Sequence, residues 1–147
     1  MSLNPEVYYR PYQGSTDIPP MIALIEKDLS EPYSIFTYRF FISLWPQLCF
    51  IAATEDPVTK QEKIIGCIIS KCERHNSHFF PTMRGYIGML AVDETLRGRG
   101  IAKTLVKLTL RRMETELNAC ECILETEQTN VGAMALYEGL GFIRHKR

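Results

Sequence analysis

The sequence predicts one layered domain of mixed secondary structure, in the α/β or α+β class. Three observations carry that expectation. The 147 residues suit a single domain with a real core. Apolar residues switch between alternating and helical spacing along the chain. The strand-like segments flank the helical ones, with a meander in the middle, and no repeat, low-complexity tract or internal linker divides them.

Taken in order, Val7 to Tyr12 reads as a first strand. PPMIALIEKDL follows, with Met21, Ile22, Ile25 and Leu29 on one helical face and prolines where a helix starts. Pro32 in SEPY breaks that helix. SIFTYRFFISLW resumes helical spacing through Ile35, Tyr38, Phe41, Ile42 and Trp45, and Pro46 closes it. QLCFIAATE and KIIGCIISKCE are two strands separated by a polar turn from Glu55 to Lys63. GYIGMLAV is a third, apolar enough to lie centrally in a sheet. Leu105, Val106, Thr109, Leu110, Met113 and Leu117 then mark a long amphipathic helix from Ala102. CECILET is another strand, NVGAMALYEGL a short helix ended by Gly139 or Gly141, and FIRHKR the opening of a further strand.

Bulk composition excludes more than it assigns. Lys+Arg and Asp+Glu both number 17, so no charge excess argues for direct nucleic-acid or membrane binding, and a basic site has to be local. The five cysteines are odd in number and no cationic, apolar leader precedes them, which predicts reduced thiols and a cytoplasmic protein. Cys120-x-Cys122 lacks the two-residue gap of a zinc or thioredoxin pair, and His75 and His78 read as a solvated loop, so no metal is expected. Ile35 to Ala53 is interrupted by Arg39, Ser43, Pro46 and Gln47 and falls short of a membrane span.

The local basic site is the loop in LAVDETLRGRGIAKTLV. The first amides of a helix beginning near Gly100 have no internal partner and sit at the positive end of its dipole. Gly98 and Gly100 let a ligand reach the backbone, and Arg97, Arg99 and Lys103 add positive charge. That combination suits a phosphate or pyrophosphate; a glycine turn with solvated arginines has the same spacing. A P-loop is excluded because Gly-Lys never occurs, and a dinucleotide fingerprint because no third glycine follows Gly98-x-Gly100 at the required spacing.

RGRGIA, from Arg97 to Ala102, resembles the R/Q-x-x-G-x-G/A loop of the GNAT acetyltransferases. NVGAMALYEGLGF, from Asn130 to Phe142, is similar to the family's N-x-x-A-x-x-L-Y-x-x-x-G-F stretch. DLSEPYSIFTYRFF, RGYIGMLAV, LETE and LYEGLGFIRHKR narrow the resemblance to the catalytic subunits of NatC-type N-terminal acetyltransferases, leaving the N-terminal residues and the Glu55–Lys63 and His75–Met83 loops as freely variable. The resemblance implies the GNAT fold, a mostly antiparallel mixed sheet flanked by helices, with acetyl-CoA as cosubstrate. It implies transfer to the starting methionine of proteins with a bulky apolar second residue, two auxiliary subunits, and a place on ribosomes beside nascent N-termini. The family also continues beyond Arg147 through a final hairpin that closes over the peptide, so the chain is expected to be a fragment or a shortened relative that keeps cofactor binding better than peptide grip.

Acetyl transfer needs a neutral amine, and a free α-amine has a pKa of roughly 7.7–8.0, so a base must take a proton as it attacks the thioester. Glu125 in ILET alternates with Leu124 and is either a sheet-surface carboxylate or a cleft residue; the resemblance implies the general base, acting through water. Glu127 is its understudy on the same face. Tyr137 reads alone as a core tyrosine, and by resemblance as the acid toward the CoA sulfur. Asn130 is an N-cap that the resemblance also places against the cofactor. Leu90, Ala91 and Val92 would offer backbone groups to the pantetheine arm, and an amide of Leu90 or Ala91 to the oxyanion. Arg97, Gly98, Arg99, Gly100, Ile101, Ala102 and Lys103 complete the expected cofactor site. Leu29, Pro32 and Tyr33 with Tyr86 form the expected apolar peptide pocket, and Glu31 would bond the incoming backbone or ammonium; a helix break with its own packing is the alternative. No cysteine nucleophile is needed, so direct transfer is expected. Phe36, Phe40 and Trp45 serve either a partner surface or the core.

Overall fold

The computed structural model describes residues 5–27, 33–76, 80–126 and 130–144. Its elements run β1 (Val7–Pro11), α1 (Ile18–Glu26), α2 (Ile35–Leu44), β2 (Cys49–Glu55), β3 (Glu62–Asn76), β4 (Pro81–Val92), α3 (Ile101–Leu117), β5 (Ala119–Leu124) and α4 (Val131–Gly139). The strands form one sheet in the order β1-β2-β3-β4-β5, antiparallel except that β5 runs parallel to β4. A parallel return needs a crossover, and α3 supplies it. Among the described residues no helix is long and apolar enough to cross a membrane.

Local chemistry sets the helix ends. Pro19 and Pro20 fall in the first turn of α1, where their missing N–H groups cost nothing. Ser34 Oγ accepts from the Phe36 amide at 3.2 Å to start α2, and Pro46 follows its end. Gly100 enters α3 with φ 79°, and Asn118 leaves it in the left-handed region at φ 54°. Asn130 Oδ1 accepts from the Ala133 amide at 3.0 Å to cap α4, while Gly141, at φ 98°, closes that helix.

Each face of the sheet has its own core. On one, Met21, Leu24 and Ile25 of α1 and Tyr38, Phe41 and Ile42 of α2 pack against Cys49, Ile51, Cys67, Ile69, Met89 and Ala91. On the other, Ile101, Leu105 and Val106 of α3 pack against Phe50, Ala52, Ile65, Ile68 and Ile87, joined at the margin by Leu90, Val92, Leu124 and Tyr137. β4 serves both layers because of a bulge. Ile69 pairs with Met89 and Ser70 with Ile87, which leaves Gly88 as the extra residue. A Cβ there would lie 3.0 Å from the Phe41 ring.

β4 is an inner strand, flanked by β3 and β5, as its apolar run predicts, although β3 is the middle one of the five. Several expectations need correction. β5 stops at Leu124, so Glu125 and Thr126 lie beyond the ladder. Phe142 to Arg144 form no strand. His75 is not in a loop but pairs with Thr82 in the long β3–β4 hairpin, while His78 lies outside the described residues. Gly139 remains helical, and Gly141 is the terminator.

Candidate active site

The charged glycine loop has the geometry that a phosphate site requires. Gly98 and Gly100 adopt φ of 82° and 79°, and a Cβ on either would meet nothing within 4 Å. The first amide of α3 to find a carbonyl is that of Thr104, bonded to Gly100 O at 3.0 Å. Among the described residues, the amides from Gly98 to Lys103 have no protein acceptor. Ile101 is 3% exposed, so its side chain anchors the loop in the core and only its N–H faces outward. Arg97 Nε reaches Val92 O at 3.4 Å, and Arg99 Nη2 donates to Pro5 O at 3.0 Å, which ties the loop to the start of the chain. Ala102 is partly buried and Lys103 is exposed on the first turn.

That loop opens beside a gap in the sheet. β4 and β5 pair from Met83–Ala119 as far as Ile87–Leu124, and β4 then continues alone on that side to Val92. Every second backbone group from Gly88 to Val92 therefore faces the space that β5 has left. Leu90 and Val92 turn their side chains to the α3 layer and Ala91 to the α1/α2 layer, so it is the backbone that meets the gap.

Glu125, exposed, follows directly on the last paired residue of β5. Tyr137 of α4 packs in the α3 layer with Leu90, Val92 and Leu124, its ring edge-on to Phe142 at 5.7 Å. Burial holds its hydroxyl above the ordinary tyrosine range, with nearby Cys122 adding to the effect, so the phenol is protonated at neutral pH. Cys122 itself is pushed up to about 12 by burial, and Cys49 likewise. Neither is a thiolate nucleophile.

On the opposite face, Tyr86 stacks on Phe41 with centroids 6.5 Å apart, and Tyr33 meets Tyr38 edge-on at 6.0 Å. Leu29, Glu31 and Pro32 lie outside the described residues, as does Glu127. Lys71, which sequence reasoning missed, holds its ammonium 5.6 Å from the Tyr86 ring centroid, 5.9 Å from Phe41 and 6.0 Å from Phe40. A lone lysine after CIIS in an otherwise apolar strand was the available signal. Phe36 and Phe40 face outward at 73% and 47% exposure, whereas Trp45 is half-buried and donates from Nε1 to Cys72 O at 2.9 Å.

The description of the acetyltransferase (GNAT) family matches residues 18–142. The chain belongs to the GNAT acetyltransferase family. It is 49% identical to N-alpha-acetyltransferase 30 of Dictyostelium discoideum, over 97% of this chain and 71% of that protein. It is 47% identical to the Homo sapiens protein of the same name, over 96% of this chain but 36% of that one, so it spans about a third of the human relative. Among solved structures, it superposes on a chain of the NatC complex bound to Gag peptide and CoA with a TM-score of 0.87. That match has 44% identity and covers 97% of this chain and 87% of the other. The chain is thus a GNAT acyltransferase of the N-alpha-acetyltransferase type, and its five-stranded mixed sheet flanked by helices is the GNAT fold.

Proposed function

We propose that the protein transfers acetyl from acetyl-CoA to the α-amine of the initiator methionine of proteins beginning Met-Leu, Met-Ile, Met-Phe or Met-Trp. The observation that carries this reading is the coincidence, at one end of β4, of unpartnered loop amides, a gap between β4 and β5, and Glu125 with Tyr137 at that gap. Its N-terminal acetyltransferase relatives, and a structural match containing CoA and a peptide, support the same assignment.

In this mechanism the loop amides and arginines hold the diphosphate of acetyl-CoA, and the pantetheine arm hydrogen-bonds along Leu90, Ala91 and Val92 in the manner of an added strand. The thioester then lies at the parting of β4 and β5. The acceptor arrives from the opposite face, where Tyr33 and Tyr86 receive its first two residues, together with Leu29, Glu31 and Pro32. Glu125 takes a proton from the ammonium through water. The neutral nitrogen attacks the carbonyl carbon, forming N–C, and the oxyanion is held by an amide of Leu90 or Ala91. Collapse breaks C–S as the Tyr137 hydroxyl gives its proton to the departing sulfur, and the second proton of the attacking nitrogen passes through water to the Tyr137 phenolate, leaving a neutral amide and the CoA thiol. One oxyanion donor supplies about 2.7–4 kcal/mol. An apolar pocket discriminates by only about 1–3 kcal/mol per methylene, so the preference at the second residue is graded.

By the same reasoning the protein works in the cytoplasm with two auxiliary subunits, beside ribosomes, on emerging N-termini. The test is turnover of acetyl-CoA on a Met-Leu peptide, with co-purified partners, against the same peptide with its α-amine blocked and a lysine present. Acetylation of the free α-amine supports the reading. Preference for the blocked peptide would assign the protein to lysine or small amines. Unchanged turnover by Glu125→Gln and Tyr137→Phe would remove the roles given to those residues.

A further inference from the structure

Along its outer side α3 carries a stripe of cations that leads away from the glycine loop. Every exposed residue from Ile101 to Arg112 is basic: Lys103, Lys107 and Arg111. At about 3.6 residues per turn they stand about 40° apart, on the side of the helix away from the buried Leu105, Val106 and Thr109. None of the three makes an ion pair among the described residues. The stripe turns acidic only at Glu114, and Glu116 beyond it is bound to Arg112 at 3.2 Å.

The other cations around the loop are engaged elsewhere. Arg99 donates to Pro5 O at 3.0 Å, and Arg97 to Val92 O at 3.4 Å. Arg97 also lines a recess of about 290 Å³ beside Leu24 of α1, together with Lys27, Asp93 and Glu94, so charges of both signs meet there. Beside the loop, the cations that no other group engages are those of the α3 stripe.

We propose that Lys107, one step along this stripe from Lys103, receives the third phosphate of acetyl-CoA, the one on its ribose. The inference rests on the diphosphate site proposed above. The diphosphate is carried on the 5′ oxygen of that ribose and the third phosphate on the 3′ oxygen, the same linkage that separates successive phosphates of a nucleic-acid strand. Four helical residues rise about 6 Å, close to that separation, so cations at 103 and 107 match phosphates one ribose apart. Helical side chains lean toward the N-terminus, which carries the Lys107 ammonium back toward the loop. The third phosphate is a monoester with a charge of about −1.5 to −2 at pH 7, and so gains most from a cation that no carboxylate offsets.

The test measures the affinities of CoA and of dephospho-CoA, which lacks only the ribose phosphate, for the full chain with its co-purified partners. CoA is expected to bind roughly three- to tenfold more tightly, as for one solvent-exposed charge-assisted contact. Lys107→Gln should weaken CoA by about that factor and dephospho-CoA by less than about twofold, which brings the two affinities together. Arg111→Gln, one step further along the stripe, should leave their ratio in place. In turnover with acetyl-CoA the Lys107→Gln loss should fall on KM, because the ribose phosphate is remote from the thioester. Equal affinity of the original chain for the two ligands, or a ratio that Lys107→Gln leaves unchanged, would overturn the proposal; equal weakening of both ligands belongs to the second case and would reduce Lys107 to a general attraction for anions. Failure to bind either ligand would instead overturn the diphosphate site, and the subsite with it.

Discussion

Replacing Gly100 by alanine separates the loop's role in folding from its role in holding the cofactor. Gly100 sits at φ 79°, ψ 13°, and an added methyl would meet no protein atom within 4 Å. The folding cost is therefore that of a left-handed alanine, about 1–2 kcal/mol. For a chain of this length that is a fall of roughly 2–8 °C in Tm. A cofactor phosphate approaching the unpartnered amides would meet the methyl directly. Losing one charge-assisted amide bond, worth about 1.5–3 kcal/mol, weakens acetyl-CoA binding roughly ten- to a hundredfold. Gly14 is the matched control: it too has positive φ, at 152°, and open space around it, but it lies far along the chain from the loop. Calorimetric titration with acetyl-CoA and thermal melts on both variants make the comparison. Gly14→Ala should lower Tm alone, and Gly100→Ala should lower both. Unchanged acetyl-CoA affinity in Gly100→Ala, or an equal loss in the two variants, would refute the assignment of the loop.

Tyr137→Phe should lower kcat by about a hundredfold or more with little change in the KM for acetyl-CoA, since the ring's packing on Phe142 survives and only the proton is lost; pre-steady-state mixing would show it. Arg10 bonds Asp17 at 2.7 and 3.0 Å and Glu62 at 2.6 and 2.9 Å, and holds both carboxyls below their ordinary values of 3.8 and 4.5. That stabilisation is complete above about pH 4.5 and is lost as pH falls through the lowered values, so denaturant melts at decreasing pH should drop over this range, and less so in Asp17→Asn. Gly85→Ala would press a Cβ onto Met113 Sδ, with Cε only 2.9 Å away, and Met113 is 1% exposed. It should destabilise by about 1–3 kcal/mol, with part of the loss recovered in a Met113→Ala background, read by chemical denaturation.

Much of this architecture could be read from the residues because local rules set it. Proline placement and helical spacing located α1 and α2, and the Gly98–Gly100 spacing located the mouth of α3. What escaped was set by partners distant in sequence. Nothing in CECILET shows that its ladder ends at Leu124, because that end depends on where β4 diverges. The apolar run GYIGMLAV predicted an inner strand, but which strand covers its outer edge is decided by the α3 crossover, which brings β5 there. The grouping of Arg10 with Asp17 and Glu62 spans more than fifty positions and leaves no periodic trace.

The extra residue at Gly88 makes β4 two half-strands of opposite phase. Tyr86 and Met89 therefore look the same way although three positions separate them, and Ile87 and Leu90 look the other. Everything from Met89 to Val92 is apolar, so a chain shortened by that one glycine would still satisfy both oily layers. Its peptide donors would nevertheless rotate by half a turn, and the ones now aimed at the opening would aim into β3. Exchanging one hydrophobic residue for another in this segment therefore disturbs the opening far less than changing its residue count.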